Sequence, residues 1–599
     1  MKFDYRNVNI TGGFWHEKQL LNENVTINAV YDRFAETGRV DAFKCDWKEG
    51  EPNKPHIFWD SDVAKWMEGA AYILAKESRP DLEEKVEWLI DRIEENQHAD
   101  GYFNIYYTVV EPGQRFTKRN NHELYCAGHL MEAACAYYEA TGRDRFLGLM
   151  EKYADCIARI FVEEKSAAFE TPGHEEIELA LVRMYRTTGK TKFLDLAAHF
   201  LNRRGQADNA EAQVADHAPY SQSHAPIREQ REAFGHAVRA VYLYAGMADL
   251  AAETEDEVLL DTCRALFDDL TTYKMYVTGG LGSTRLGEAF TIAYDLPNAG
   301  AYTETCASIG MTYFAQRMIA ADPANAAKYA DIIELEMYNG ALSGLSTDGD
   351  KFFYENPLEI NLAERRRITG TKDKERWPIT ERVKVFGCSC CPPNLNRWIA
   401  SIGTYFYALD TESGEVYINQ FGSSTFERDG AVVTVETDYP ASGVIHIRAN
   451  RLVHVRIPGW CHSFTADQPY IIENGYACFE AGDITLDLAM VPELIASSVK
   501  VSRNLGRAAL RRGPVVYCAE AVDNGGTVHD LYLDSAAVGA AIYDGGRMIV
   551  PGARRVDPVP GKLYTPLCEA FVPTAVTMIP YHTFANRGEC DMLVFLLYR

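Results

Sequence analysis

The chain has 599 residues, 47% hydrophobic and 24% charged, the proportions of an ordinary globular protein, which excludes a disordered or collagen-like chain. Its 85 acidic residues against 60 basic ones leave a formal net charge of -25, a field that repels a phosphate backbone and disfavours nucleic-acid binding. The chain contains no apolar run of the roughly 18 residues a membrane span needs. The opening Met1-Lys2-Phe3-Asp4-Tyr5-Arg6 leads into Asn and Gly rather than an apolar core, so no secretory signal is expected. Fourteen cysteines in 599 residues make no disulfide framework. A cytoplasmic, reducing compartment is therefore the expectation, and there clustered cysteines read as metal-binding or catalytic.

In chain order, Val8-Asn9-Ile10 is a candidate strand ahead of the first helix. To about residue 408 the pattern is then helical. Asp62–Ala75 and Leu82–Glu95 carry apolar residues at helical spacing, as do Glu123–Tyr138, which Thr141-Gly142 ends, and Asp144–Ile160. Further helices are predicted from Gly173-His174 to Thr188-Gly189, over Lys192–Leu201, from Gly235-His236 towards Ala252, and over Asp256–Leu270. Cys306–Ala320, Ala324–Met337 and Asn394–Tyr407 complete the series. A Gly-His dipeptide recurs at 128–129, 173–174 and 235–236, each starting a long helix with a second helix after it. Helical hairpins of this length stack, because one hairpin cannot bury its own apolar face. About twelve helices suit a closed α/α toroid, with an open superhelix as the competing arrangement. After Asp410 the texture changes to short β-rich segments broken by turns, such as Ala431–Val435, Leu452–Ile457 and Ile484–Leu488, which predicts a β-sandwich. Gly513–Cys518 opens another β-rich part that runs to the last residue.

Three segments carry candidate chemistry. In Gly387-Cys388-Ser389-Cys390-Cys391-Pro392-Pro393-Asn394, the two prolines fit the first turn of a helix, which places Cys390 and Cys391 just before its amino-terminus. The helix dipole there favours thiolate over thiol. In Tyr302-Thr303-Glu304-Thr305-Cys306, residues two apart diverge by about 200° on a helix, so Glu304 and Cys306 converge only in a turn preceding one. Together with Cys390 and Cys391 they supply one oxygen and three sulfur ligands, a set that matches tetrahedral Zn2+. Read singly, Glu304 caps its helix and Cys306 packs. The third segment, Gly279-Gly280-Leu281-Gly282-Ser283-Thr284-Arg285-Leu286-Gly287-Glu288, lacks the Lys-Ser/Thr ending of a phosphate loop. It reads as a flexible loop across a pocket mouth, with Glu288 as an acid/base candidate. His129, His174 and His236 hold matching places in the repeat and would face one cavity, where neutral imidazoles can bond sugar hydroxyls.

Taken together these residues resemble glycoside hydrolase family 127, the β-L-arabinofuranosidase family. The resemblance rests on Gly12-Gly13-Phe14-Trp15, Tyr302-Thr303-Glu304-Thr305-Cys306, Tyr338-Asn339-Gly340 and Cys390-Cys391-Pro392-Pro393-Asn394. It implies a multidomain α and β chain with an (α/α)6 barrel catalytic domain followed by β-sandwich domains. The expected limits are 1–409 for the barrel (with residues 1–12 as candidates to pair with the β region), 410–510 for a β-sandwich and 511–599 for a second β-rich domain. It further implies a retaining exo-glycosidase acting on terminal β-L-arabinofuranosides or related furanosides. Cys390 looks like the nucleophile and Glu288 like the general acid/base. Glu304, Cys306 and Cys391 look like the zinc ligands that accompany Cys390, and His129, His174, His236, Glu336 and Tyr354 look like substrate-binding residues. The expected partner is an oligosaccharide or glycoside, with no nucleic acid and no membrane, and with a homodimer as the candidate assembly.

Two other readings compete. Helical toroids also host sugar epimerases and unsaturated-uronide hydrolases, which need no cysteine–zinc site. A carbohydrate-binding protein with structural zinc is the non-catalytic reading, because a metal closed by four protein ligands ordinarily serves structure.

Overall fold

Among the described residues the α-helices number fourteen; besides Gly13–Leu21 and Ile105–Val109, twelve realise the helical pattern. They are α1 (Ile27–Glu36), α2 (Trp59–Leu74), α3 (Pro80–Asn96), α4 (Glu123–Thr141), α5 (Arg145–Ala158), α6 (Ile177–Thr188), α7 (Thr191–Arg203), α8 (Ala237–Thr254), α9 (Glu257–Asp269), α10 (Thr305–Ala321), α11 (Ala326–Leu335) and α12 (Cys391–Ala400). The structure is a computed structural model and describes residues 1–208, 218–364, 379–557, 559, 561–566 and 570–599.

Local sequence sets the helix ends. Pro80 opens α3 and Pro392 and Pro393 open α12, where a preset φ and a missing N–H cost nothing. Asp256 caps α9 by accepting from the Leu259 N–H at 2.9 Å. Gly142 and Gly189 close α4 and α6 in the left-handed region, at φ 73° and 70°.

The burial patterns sort the helices into two rings. α7 buries Phe193, Leu196, Ala197, Phe200 and Leu201, one stripe at helical spacing, so it lies on the outside. Every residue from Trp59 to Ile73 of α2 is buried, as is every residue from Glu123 to Tyr137 of α4, so these helices line the inside. The even-numbered helices pack in order, α2 on α4, α4 on α6, α6 on α8, α8 on α10, α10 on α12 and α12 back on α2. The ring is thus closed rather than an open superhelix. α3, α5, α7, α9 and α11 each follow and pack on an inner helix, and α1 packs on α12 to complete the sixth pair.

Among the described residues the β-rich region forms three sheets. Val8–Ile10 pairs antiparallel with Ser424–Arg428 at the edge of a six-stranded sheet. A five-stranded sheet built around Val453–Arg456 shares one apolar core with it. Alternation of buried and exposed residues along Ala431–Thr437 and Val444–Ala449 gives each strand one core face, the pattern of a sandwich. A ten-stranded sheet takes in Glu493–Ala496 to Phe595–Tyr598 and also Glu359–Ile360 from the helical part. Among the described residues no helix is long and apolar enough to cross a membrane.

A buried ionic joint fixes the sandwich to the barrel. The Arg456 guanidinium, 0% exposed, donates to Glu334 at 2.7 Å and also pairs with Asp331, both on α11. Tyr439 and Trp460 donate to the same Glu334 carboxylate at 2.6 and 2.9 Å. Removing one partner strands the other as an uncompensated buried charge, so Arg456→Met is expected to cost about 3–5 kcal/mol. Calorimetry reads this as a lower first unfolding transition, and an unchanged transition would show that the joint contributes nothing.

Candidate active site

The inner helices all start at one end of the barrel. Their first turns enclose a cavity of about 250 Å³, with Asp62 at the start of α2, Tyr125 on α4, His174 ahead of α6, His236 at α8, Glu304 at α10 and Cys390 at α12. Each amino-terminus carries unpaired N–H groups and a partial positive charge, so six together favour anions there despite the acidic surface.

Glu304 is the residue before α10 and Cys306 lies in its first turn; Cys390 caps α12 and Cys391 begins it. The ring brings these two starts together across a separation of 84 residues, with Cys306 Sγ 3.6 Å from Cys390 Sγ. It lies 3.4 Å from Cys391 Sγ, and the two adjacent sulfurs are 3.8 Å apart. Glu304 Oε1 is 3.6 Å from Cys390 Sγ and 3.8 Å from Cys391 Sγ. A tetrahedral zinc ion with Zn–S bonds of about 2.3 Å holds its sulfurs about 3.8 Å apart, so the quartet has the size of such a site. Glu304 Oε2 is buried with no hydrogen-bond partner, the orphaned acceptor that a cation would satisfy. Burial, and then the neighbouring Cys390 and Glu288, push the Glu304 carboxyl well above its ordinary range. Burial and the contacts to Cys306 and Cys390 do the same to the Cys391 thiol. Cys306 is also raised by burial, but hydrogen bonds to its sulfur from the other two cysteines outweigh that and bring it to about 6. Without a cation Glu304 and Cys391 therefore hold their protons; a set of four deprotonated donors needs a metal. Cys390 is the member left partly exposed, on the cavity side. The Tyr354 hydroxyl lies 3.5 Å from its sulfur.

Glu288 approaches from the segment before α10. Its backbone is in the left-handed region at φ 53°, an uncommon setting for a side chain of this size. His236 Nε2 donates to Glu288 Oε2 at 2.9 Å, and a Glu288 oxygen and a Glu304 oxygen lie within 4.8 Å of each other. Burial pushes the Glu288 carboxyl up, but the hydrogen bond from His236, its charge and the hydrogen bond from Tyr302 outweigh it and leave it below the ordinary value. Backbone bridges tie down the glycine-rich segment that carries Glu288. Met275 bridges Leu281, Thr284 bridges Ala289, and Ala289 bridges His236. A Cβ on Gly279 would lie 2.7 Å from the Glu336 carboxyl, so that glycine serves close packing.

Two expected sugar-binding residues lie elsewhere. The Gly-His repeat places His129 at a helix start, whereas it sits in the second turn of α4, fully buried, with Nδ1 2.9 Å from Glu176 Oε1. Gly128 is there because a Cβ would come within 2.8 Å of the Ile177 backbone at the α4–α6 crossing. Glu336 is fully buried beneath Gly279 and Gly340 and is not among the residues that line this cavity. The residue that shares the cavity with His174 and His236 is His122, immediately before α4, with ring centroids 5.5 Å from His174 and His174 5.6 Å from His236. Burial pushes His122 down to about 3, and burial followed by Arg239 pushes His174 well down, so both present neutral rings. The signal for His122 was the predicted helix start at Glu123, since the residue before an inner helix is the one that faces the cavity. Asp62 and Arg239 also line it, and Asp62 is held by Arg39 at 3.0 Å. Arg39 donates further to the Phe386 and Gly387 carbonyls, anchoring the chain that leads into the cysteines.

The family model for the β-L-arabinofuranosidase GH127 catalytic domain matches residues 7–404, and that for the glycoside hydrolase family 127 C-terminal domain matches 492–597. A non-reducing end β-L-arabinofuranosidase from Bifidobacterium longum subsp. longum is 35% identical over 592 residues, covering 90% of this chain and 89% of its own. A solved GH127 β-L-arabinofuranosidase from Geobacillus stearothermophilus T6 is 37% identical, with a TM-score of 0.91 over 99% of this chain and 100% of its own. A second solved GH127 β-arabinofuranosidase is 32% identical, with a TM-score of 0.88 over 100% of this chain and 97% of its own. With its helical and its C-terminal parts both matched, the chain belongs to glycoside hydrolase family 127.

Proposed function

We propose that this protein is a retaining exo-glycosidase that removes terminal β-L-arabinofuranose from glycosides, with Cys390 as nucleophile and Glu288 as general acid/base. Residues 1–409 would carry the chemistry, with 410–510 and 511–599 as two β-rich supports. The observation that carries this reading is the cysteine cluster itself, in which three sulfurs and a carboxylate converge and Cys390 alone is partly open to a sugar-sized cavity beside Glu288.

Zn2+ is the proposed metal, since three soft thiolates and one carboxylate suit it; bound by Glu304, Cys306, Cys390 and Cys391, it would hold these donors deprotonated and make the Cys390 sulfur a thiolate at neutral pH. In the first step Cys390 Sγ attacks the anomeric carbon as the glycosidic C–O bond breaks, and Glu288 gives its proton to the departing oxygen. In the second, Glu288 takes a proton from water, whose oxygen displaces the sulfur from the opposite face and restores the thiolate. A sulfur thus takes the part of one carboxylate in the usual retaining pair. His236 orients Glu288 through the 2.9 Å hydrogen bond. The neutral rings of His122 and His174 accept from or donate to the sugar hydroxyls, and Tyr354 lies against the attacking sulfur.

The direct test is a screen of nitrophenyl pentofuranosides with metal analysis on the same sample. Release from the β-L-arabinofuranoside by enzyme holding about one zinc per chain is expected; turnover unaffected by removing all metal would oppose the reading. Cys390→Ala and Glu288→Gln should each lower kcat at least about a hundredfold, the size of a lost nucleophile or acid/base group. Near-parental rates in either would contradict its assigned role. Glu288 must be protonated for the first step, and its pKa lies below the usual value, so the competent form is lost as pH rises. For an unactivated glycoside kcat/KM should therefore be highest at acid pH and fall as pH rises. That limb should disappear in Glu288→Gln, and its persistence there would assign it to another group.

A further inference from the structure

The five-stranded sheet of the sandwich carries a second nucleophile and base, none of whose members lines the barrel cavity. Register places Cys478, on the strand Tyr476–Phe479, opposite His454, on Val453–Arg456, and His454 opposite Tyr417, on Val416–Ile418. Residues opposite each other share a face, so the three side chains form a row across three strands. The Tyr417 ring stacks on the imidazole, with centroids 4.1 Å apart at 3°, and fixes its plane. His454 Nδ1 lies 3.1 Å from Cys478 Sγ, and its Nε2 lies 2.9 Å from Glu415 Oε2. A carboxylate only accepts, so Nε2 carries the proton donated to Glu415 and Nδ1 is left to accept from the thiol. Nucleophile, base and a third group that orients the base are thus in contact. Burial, followed by Glu473 and Glu415, pushes the Cys478 thiol above its ordinary value, so the resting sulfur keeps its proton and needs a base at the moment of attack. The sulfur can be reached, since Cys478 is partly exposed and Ile471, opposite it on the next strand, is exposed.

We propose that Cys478 is a modification site, where the thiol forms a mixed disulfide with a small disulfide that carries no negative charge and His454 acts as the base. Cys478 Sγ attacks one sulfur of the incoming disulfide while His454 Nδ1 takes the thiol proton. The S–S bond of the reagent breaks, and its second sulfur leaves as a thiolate that recovers the proton from His454 and departs as a thiol. One disulfide is consumed and one is formed, so no further oxidant enters. The negative charges of Glu473 and Glu415 beside the sulfur repel an anionic disulfide. The site belongs to the sandwich, and it does not rest on the activity proposed for the barrel.

The test exposes the full-length, zinc-loaded protein to hydroxyethyl disulfide, quenches with acid at intervals and reads each cysteine by peptide mass spectrometry. Cys461 is the internal reference. It is likewise partly exposed, burial raises its thiol too, and its sulfur donates to the Ser463 carbonyl at 3.1 Å rather than to a base. Cys478 should react at least about tenfold faster than Cys461, and His454→Gln should bring the two rates together, a general base being worth at least that much. Glu415→Gln, which leaves the row on the sheet untouched, should lower the ratio about threefold by loosening the imidazole. A parent ratio within about twofold of one, or a ratio that neither variant lowers, overturns the proposal.

Discussion

Four potential anions share one buried corner of this protein. Glu304, Cys306 and Cys391 are almost wholly removed from water, and Cys390 is partly so. Burying one unpaired charge costs several kcal/mol, and burying four side by side is prohibitive unless a cation sits among them. The proton-holding state of Glu304 and Cys391 is the same statement made without the cation. Much of the surrounding architecture can be read as meeting that constraint. Six inner-helix amino-termini point at the corner, and the Arg39 clamp fixes the chain that enters it.

The opposite end of the barrel has the reverse polarity and the reverse chemistry. There the helix carboxyl-termini favour cations, and Arg183, Arg317 and Arg397 lie among Glu68, Glu132 and Glu139. Arg183 bridges all three glutamates, while Arg397 joins Glu68 at 2.7 Å and Asn394 at 2.7 Å. Asn394 belongs to the Cys-Cys-Pro-Pro-Asn segment, so this charged plug also anchors the helix that presents Cys390. The cysteine corner and the charged plug are thereby joined through a single turn of α12.

Sequence revealed the barrel and the candidate metal ligands for local reasons. Helical periodicity, a double proline and paired Glu-x-Cys and Cys-Cys segments are all readable within a few residues. The convergence of Glu304 with Cys390 depends on closure of the ring, which no spacing rule encodes. The Gly-His repeat misled because its glycines serve different purposes. Gly128 permits a helix crossing, whereas Gly235 adopts φ 74° in the turn before α8. The helix boundary at Glu123 was the better guide and points to His122 rather than His129. Glu336, close to the Tyr338-Asn339-Gly340 motif in sequence, lies behind the Gly279 turn in space. Arg39, Arg239 and Arg456 were not legible, because their partners come from distant segments.

The central claim is that sugar becomes bonded to sulfur during turnover. Acid-quenching the zinc-loaded enzyme in the steady state, followed by peptide mass spectrometry, reads this directly. The account requires a pentosyl adduct on the peptide that contains Cys390, localised to that sulfur. A pentosyl group found instead on a carboxylate such as Glu288 or Glu304 would contradict it.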